Sequence, residues 1–230
     1  MQKILEHIQS HKIAPGCIRC GSFFRQDFFF CRSCFENQIL KFENFQESMM
    51  DIPSINVTTL FQWVPKTSDS LSLAIHLLKR SESKLAWKYL GKLFVDFLKS
   101  NDRTKINSSN AVLVPVPSRS LSSVHTKYFS SELANNLGIK KVELICHQKT
   151  SQELNSALRP QKELSRRQRI DREFDLCVDF TRAGEVENLQ NIVLIDDVVT
   201  TGATLQACTR QIRALKPNAN VCAWVMFKRL

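Results

Sequence analysis

The spacing of apolar residues predicts two helices in the first half of the chain. From Asp69 to Lys99, apolar side chains recur every three or four positions, which is typical of helices with one buried face. The two apolar faces are Leu71, Ala74, Ile75 and Leu78, then Leu90, Leu93, Phe94 and Phe97. A short strand is predicted around Val57–Trp63, and the polar residues 100–110 predict a loop.

Short apolar runs rich in β-branched residues predict buried strands in the second half. AVLVPVP (111–117) reads as a strand that ends at its prolines, and Ile192–Ile195 reads as a central parallel strand. Further strands are predicted at Val142–Cys146 and Val221–Phe227, with helices at 130–137 and from residue 204. This alternation of strands and helices predicts an α/β domain with a mostly parallel sheet.

Four of the eight cysteines form two Cys-x-x-Cys pairs within one short stretch. Both thiolates of such a pair can turn toward one ion, and two pairs complete the tetrahedron that Zn²⁺ prefers. An all-cysteine ligand set favours a structural zinc over a catalytic one, and four buried or redox-active cysteines are the alternative. The predicted ligands are Cys17, Cys20, Cys31 and Cys34.

These patterns divide the chain into three parts. Residues 12–40 are interpreted as a small N-terminal zinc module, 41–105 as a connector and helical segment, and 106–230 as the α/β domain. The remaining cysteines are scattered and are interpreted as small buried hydrophobic residues: Cys146, Cys177, Cys208 and Cys222.

Residues 191–206 combine an apolar strand, two carboxylates and a loop rich in hydroxyls. Asp196 and Asp197 follow the strand, and a loop then leads into a helix through Thr200, Thr201, Gly202, Ala203 and Thr204. Open α/β sheets bind ligands at the carboxyl ends of their strands, and N–H groups at a helix start bind anions. The carboxylates suit sugar hydroxyls or a hydrated Mg²⁺. The segment predicts a sugar-phosphate site, and an Asp-rich turn before an N-capped helix is the alternative.

This segment resembles the 5-phosphoribosyl-1-pyrophosphate (PRPP) motif of type I phosphoribosyltransferases. That motif is an apolar strand, two acidic residues, two apolar residues and Thr-Thr-Gly-x-Thr, and residues 192–204 match it throughout. The resemblance implies that Asp196 and Asp197 bind the ribose hydroxyls and that residues 200–204 bind the 5′-phosphate. It implies pyrophosphate displacement at the ribose C1, with Arg119 as a candidate pyrophosphate contact, and it assigns no catalytic side chain.

A zinc module joined to a phosphoribosyltransferase-like domain resembles the ComF family of bacterial competence proteins. Further markers are LLKR (77–80), VPVP (114–117) and QKELSRRQR (161–169), and the last makes Arg166 and Arg169 candidate pyrophosphate contacts. The chain departs from the family after VPVP. There it reads SRSLSSVHTKYFSSEL instead of an arginine-rich stretch followed by Gly-Phe-Asn-Gln.

The net charge of +10 favours an anionic partner, because it raises the local concentration of negative groups. Part of the excess lies in residues 159–172. This run is interpreted as a hood over pyrophosphate or single-stranded DNA, with a solvated helix face as the alternative. No membrane span or secretory signal is expected, so the cytoplasm is the expected compartment.

The ComF resemblance implies action on incoming single-stranded DNA during natural transformation. It implies a PRPP-type pocket with Mg²⁺, a structural Zn²⁺, and proteins of the competence machinery as partners. Two alternatives stay open: a phosphoribosyltransferase of nucleobase salvage, and a non-catalytic PRPP sensor that docks a protein through its zinc module.

Overall fold

The computed structural model describes residues 52, 55–63, 75, 84–100, 108–118, 125–147 and 176–229. The strands are β1 Asn56–Trp63, β2 Ala111–Pro115, β3 Lys140–Lys141, β4 Ile145–His147, β5 Leu176–Val178, β6 Asn191–Val199 and β7 Asn220–Arg229. The helices are α1 Lys84–Ser100, α2 His125–Leu137, α3 Phe180–Ala183 and α4 Ala203–Leu215, and short 3₁₀ turns span Ser108–Asn110 and Gly184–Val186.

Five strands form one parallel sheet in the order β1-β7-β6-β2-β3. The predicted α/β class with a mostly parallel sheet is therefore confirmed. β6 lies at the centre, and its residues 192–195 are fully buried because helices cover both faces. β4 and β5 form a separate antiparallel pair.

Helices α1 and α2 pack together on one face of the sheet, over a core that includes Phe94, Phe129 and Trp224. The rings of Phe94 and Phe129 meet edge to face, with centroids 5.4 Å apart. The two helices approach closely at Gly91, where an added Cβ would lie 2.6 Å from the Cβ of Glu132. Helix α4 covers the other face, whose core includes Cys208 and Ile212.

The predicted strand at residues 57–63 is confirmed, and it is an edge strand of the main sheet. β1 pairs in parallel with β7 from Asn56↔Cys222 to Trp63↔Arg229. Leu60, Phe61 and the helix α1 belong to the same core as the strands of the α/β domain. The described residues of the segment interpreted as a connector are thus built into the sheet and its helical layer.

The single strand predicted at Val142–Cys146 is wrong. The chain leaves the main sheet after β3, with the backbone N–H of Val142 donating to the Leu113 carbonyl at 2.9 Å, and joins the small sheet at Ile145. The apolar run correctly indicates burial, because Val142, Leu144 and Ile145 are all buried. Burial by itself does not determine which strand a segment pairs with.

Side-chain amides align the amino ends of the three central strands. Asn110 accepts from the backbone N–H of Gln190 at 2.8 Å and donates to its side chain at 3.2 Å. Asn220 donates to the Asn191 side chain at 3.0 Å. These contacts bring the starts of β2, β6 and β7 level, so that their carboxyl ends meet at one edge of the sheet.

No helix within the described residues is long and apolar enough to cross a membrane.

Candidate functional site

The central strand β6 carries the predicted carboxylates to the carboxyl edge of the sheet. Burial is complete through Ile195 and becomes partial at Asp196 and Asp197. The strand continues to Val199, so both carboxylates lie within it, and Asp196 pairs in register with Val225 of β7. The two carboxylates are thus carried by a central strand, whereas the threonines of the candidate site lie in the loop that follows.

Asp196 lies on the side of the sheet that α4 covers. Its Oδ1 accepts from the backbone N–H of Asp197 at 2.8 Å. Burial, and then the negative charge of Asp196, raise the pKa of the Cys208 thiol in α4. That thiol stays protonated at neutral pH.

The alternation of core faces along β6 reverses at the two carboxylates. Val193 and Ile195 pack under α1 and α2, yet Val198 packs on the same side and Val199 on the α4 side. Strict alternation would turn neighbouring carboxylates to opposite faces, away from a common ligand. Strict alternation therefore does not hold across Asp196 and Asp197.

The loop after β6 leads into α4 through a left-handed residue. Thr200 and Thr201 are exposed, whereas Gly202 is buried with φ 74° and ψ 4° and forms the N-cap of α4. The hydroxyl of Thr201 accepts from the backbone N–H of Ala203 at 3.4 Å, and the N–H of Gln206 donates to the Gly202 carbonyl at 2.9 Å. The loop thus places two exposed threonines directly before the first turn of α4, and the start of a helix is where N–H groups bind anions.

Gly202 also packs closely on the segment that precedes β1. An added Cβ would lie 2.8 Å from the Cγ1 of Ile52, whose side chain is 4% exposed. Because φ is positive and the space is filled, this position excludes other residues on two independent grounds.

The chain that follows β2 leaves the sheet beside the carboxylates. Pro115 pairs with Ile195, and the backbone N–H of Val116 donates to the Ile195 carbonyl at 2.9 Å. The start of the candidate pyrophosphate loop, through Ser118, therefore lies next to Asp196. Other predicted site residues lie outside the described part of the chain: Arg119, Arg166, Arg169 and the zinc ligands Cys17, Cys20, Cys31 and Cys34.

Sequence reasoning overlooked Lys228 at the same edge of the sheet. It pairs with Val199, the last residue before the phosphate loop, and is 7% exposed. Removal from water lowers the pKa of its ammonium group. A lysine that directly follows a run of buried apolar residues is the sequence signal for this position.

Within the described ranges, no three His, Cys, Asp or Glu side chains converge as a metal site. The donors of Asp196 and Asp197 fit Mg²⁺, which binds through one or two carboxylates and takes its other ligands from water and substrate phosphates. No family model and no curated protein matches the chain.

Proposed function

We propose that the chain binds PRPP or a related sugar phosphate at the carboxyl edge of β6. The observation that carries this proposal is the sequence of groups along one central strand: two half-buried carboxylates, then exposed threonines, then a left-handed glycine that begins α4. Carboxylates accept from ribose hydroxyls, while hydroxyls and N–H groups donate to phosphate. The site thus suits a ligand that has both.

We further propose that the α/β domain has a type I phosphoribosyltransferase-like fold and that a four-cysteine zinc module precedes it. The parallel sheet and the loop after β6 support the first part. In this arrangement Asp196 and Asp197 orient the ribose, residues 200–204 hold the 5′-phosphate, and the segment after Pro117 approaches the pyrophosphate. The four cysteines would bind zinc through thiolates, and that zinc would stabilise the module.

If pyrophosphate is displaced, positioning and charge stabilisation account for the chain's contribution. The Asp196 carboxylate fixes the ribose hydroxyls, so that C1 faces the incoming group. Positive charge develops on the sugar as pyrophosphate leaves, and the carboxylates below the ring stabilise it. Mg²⁺ at these carboxylates would neutralise charge on the departing pyrophosphate.

The biological role we propose is that of a ComF-like competence protein acting on incoming single-stranded DNA in the cytoplasm. The motifs at 77–80, 114–117 and 161–169 support it, together with the net charge of +10. A cationic chain binds the phosphate backbone through counterion release, so single-strand affinity should fall steeply with salt. Deletion of the coding sequence should lower transformation frequency, and a normal frequency would remove this role.

Calorimetry with PRPP and Mg²⁺ tests the pocket. Asp196→Asn with Asp197→Asn removes both charges at constant size, and we expect affinity to fall about 10- to 100-fold or more, since a hydrogen bond to a charged group contributes about 1.5–3 kcal/mol. Glu187→Gln is the matched control, because Glu187 is exposed and lies before β6, at the opposite edge. Unchanged PRPP affinity in the double variant would refute the assignment of these carboxylates to the ligand site.

A second measurement separates this role from the two alternatives. Purified protein is incubated with PRPP and Mg²⁺ across free bases and nucleic acids, and pyrophosphate release is followed. Release with a free base identifies a salvage transferase. Binding without release, together with a transformation defect, supports the competence role, whereas binding without release or defect identifies a sensor.

A further inference from the structure

Two cysteines face each other across the small antiparallel sheet. Cys146 of β4 and Cys177 of β5 are register partners, and their Sγ atoms lie 3.3 Å apart. Each Sγ also lies 3.7 Å from the carbonyl oxygen of the other residue. This pairing was not predicted, because 30 residues separate the two cysteines along the chain.

The backbone geometry at this pair suits a disulfide. Directly opposed residues of antiparallel strands have Cα atoms about 4.5–5.5 Å apart. That range falls within the roughly 4.4–6.8 Å found in disulfides. The sulfurs must approach from 3.3 Å to about 2.05 Å, which side-chain rotation achieves without separating the strands.

The surroundings hold the backbone while leaving the sulfurs accessible. Ile145, Leu176 and Val178 are all buried in the core under α4, and the N–H of Asp179 donates to the Leu144 carbonyl at 2.8 Å. The two cysteines themselves are only partly buried. Cys208 offers a contrast, because it is buried and burial raises the pKa of its thiol far above the usual value.

We propose that Cys146 and Cys177 form a reversible dithiol–disulfide site that reacts with low-molecular-weight disulfides. One protein thiolate attacks a sulfur of the small disulfide, releases one small thiol and leaves a mixed disulfide. The second cysteine then loses its proton and attacks the protein sulfur, releasing the second small thiol. The two protein thiols lose two electrons, and the small disulfide gains them.

The environment sets the pH dependence of the exchange. Burial and the hydrogen bond to Cys177 raise the pKa of the Cys146 thiol to about 11. Few molecules carry the Cys146 thiolate at neutral pH, so oxidation should accelerate as pH rises from 7 to 9.

The cross-link would join the ends of residues 148–175, which contain the basic run 159–172. β5 also packs against α4, the helix that begins at the phosphate loop. Oxidation therefore cross-links the two strands that precede and follow the basic run in the chain, one of which packs against the helix of the proposed ligand site. The dithiol site stands on its own geometry and does not require the proposed ligand.

The test uses the full chain, purified in the presence of Zn²⁺, in buffers of graded oxidised-to-reduced glutathione ratio at pH 8. Thiols are quenched with acid and maleimide, and peptides are mapped by mass spectrometry. We expect a Cys146–Cys177 cross-linked peptide that is half formed at a ratio at least tenfold lower than that required for any modification of Cys222. Cys222→Ser is the matched control and should leave the cross-link unchanged.

Single-cysteine variants test the second step, in which the remaining cysteine attacks the mixed disulfide. Cys146→Ser and Cys177→Ser each retain one thiol, so the glutathione adduct should accumulate at least tenfold above its wild-type level. Absence of the cross-link in the wild-type chain, or stable adducts on both its cysteines, would overturn the proposal. So would the loss of one equivalent of bound zinc in Cys146→Ser, which would indicate a metal site. The wild-type mapping decides the question even if a variant does not fold.

Discussion

Replacement of Gly202 by alanine perturbs the candidate phosphate loop at its tightest point. The glycine has φ 74°, and an added Cβ would meet the Cγ1 of Ile52 at 2.8 Å. Gly138, which ends α2 with φ 66°, has no atom within 4 Å of an added Cβ. The two glycines therefore share the conformational cost, and only Gly202 adds a steric one.

The two contributions predict distinct magnitudes. A left-handed alanine costs about 1–2 kcal/mol. An extra methyl in a filled space adds about 1–3 kcal/mol. We expect Gly138→Ala to lower the free energy of unfolding by about 1–2 kcal/mol and Gly202→Ala by about 2–5 kcal/mol.

Urea denaturation followed by circular dichroism measures the difference. With a slope of about 2 kcal/mol per molar urea, the midpoint should fall by about 0.5–1 M for Gly138→Ala and about 1–2.5 M for Gly202→Ala. Ile52→Ala removes the obstructing side chain. In that background Gly202→Ala should cost no more than Gly138→Ala, because only the conformational cost remains.

Equal costs for the two glycine variants in the wild-type background would refute the packing argument. A cost for Gly202→Ala that Ile52→Ala does not reduce would place the obstruction elsewhere. Loss of PRPP binding in Gly202→Ala at temperatures where the chain stays folded would connect the loop conformation to the ligand.

Three further outcomes follow from the described contacts. Gly91→Ala should destabilise the chain by about 1–3 kcal/mol in a urea titration, because the crossing of α1 and α2 has no room for a methyl, whereas Gly184→Ala should be neutral or stabilising, since nothing lies within 4 Å. The hydrogen bond to Lys140 lowers the pKa of Glu185 in the folded chain. Glu185 therefore stabilises the fold at pH values above its pKa in the unfolded chain. This stabilisation is lost as the pH falls through its pKa in the folded chain. Glu185→Gln should therefore flatten the acid side of a stability–pH profile. Cys208 should resist iodoacetamide at pH 8 until the chain unfolds, because burial keeps the thiol protonated, and labelling of the native chain would contradict this.

The local sequence predicted the central strands and the helix after the candidate loop. Apolar runs at 111–115 and 192–195 are buried strands, as predicted, and the helix predicted from residue 204 begins at Ala203. Periodicity and turn residues are properties of neighbouring positions, so a short window contains them. The Asp pair and the Thr-Thr-Gly-x-Thr motif could be identified from the sequence for the same reason.

Contacts between distant segments were decided only by the tertiary structure. The sequence does not show that β1 closes the edge beside β7, that Ile52 fills the space over Gly202, or that Cys146 meets Cys177. It also placed a single strand at 142–146, where the chain passes from one sheet to another. An apolar run indicates that a segment is buried. The strand with which that segment pairs depends on which distant part of the chain packs against it. That choice is made by the whole chain.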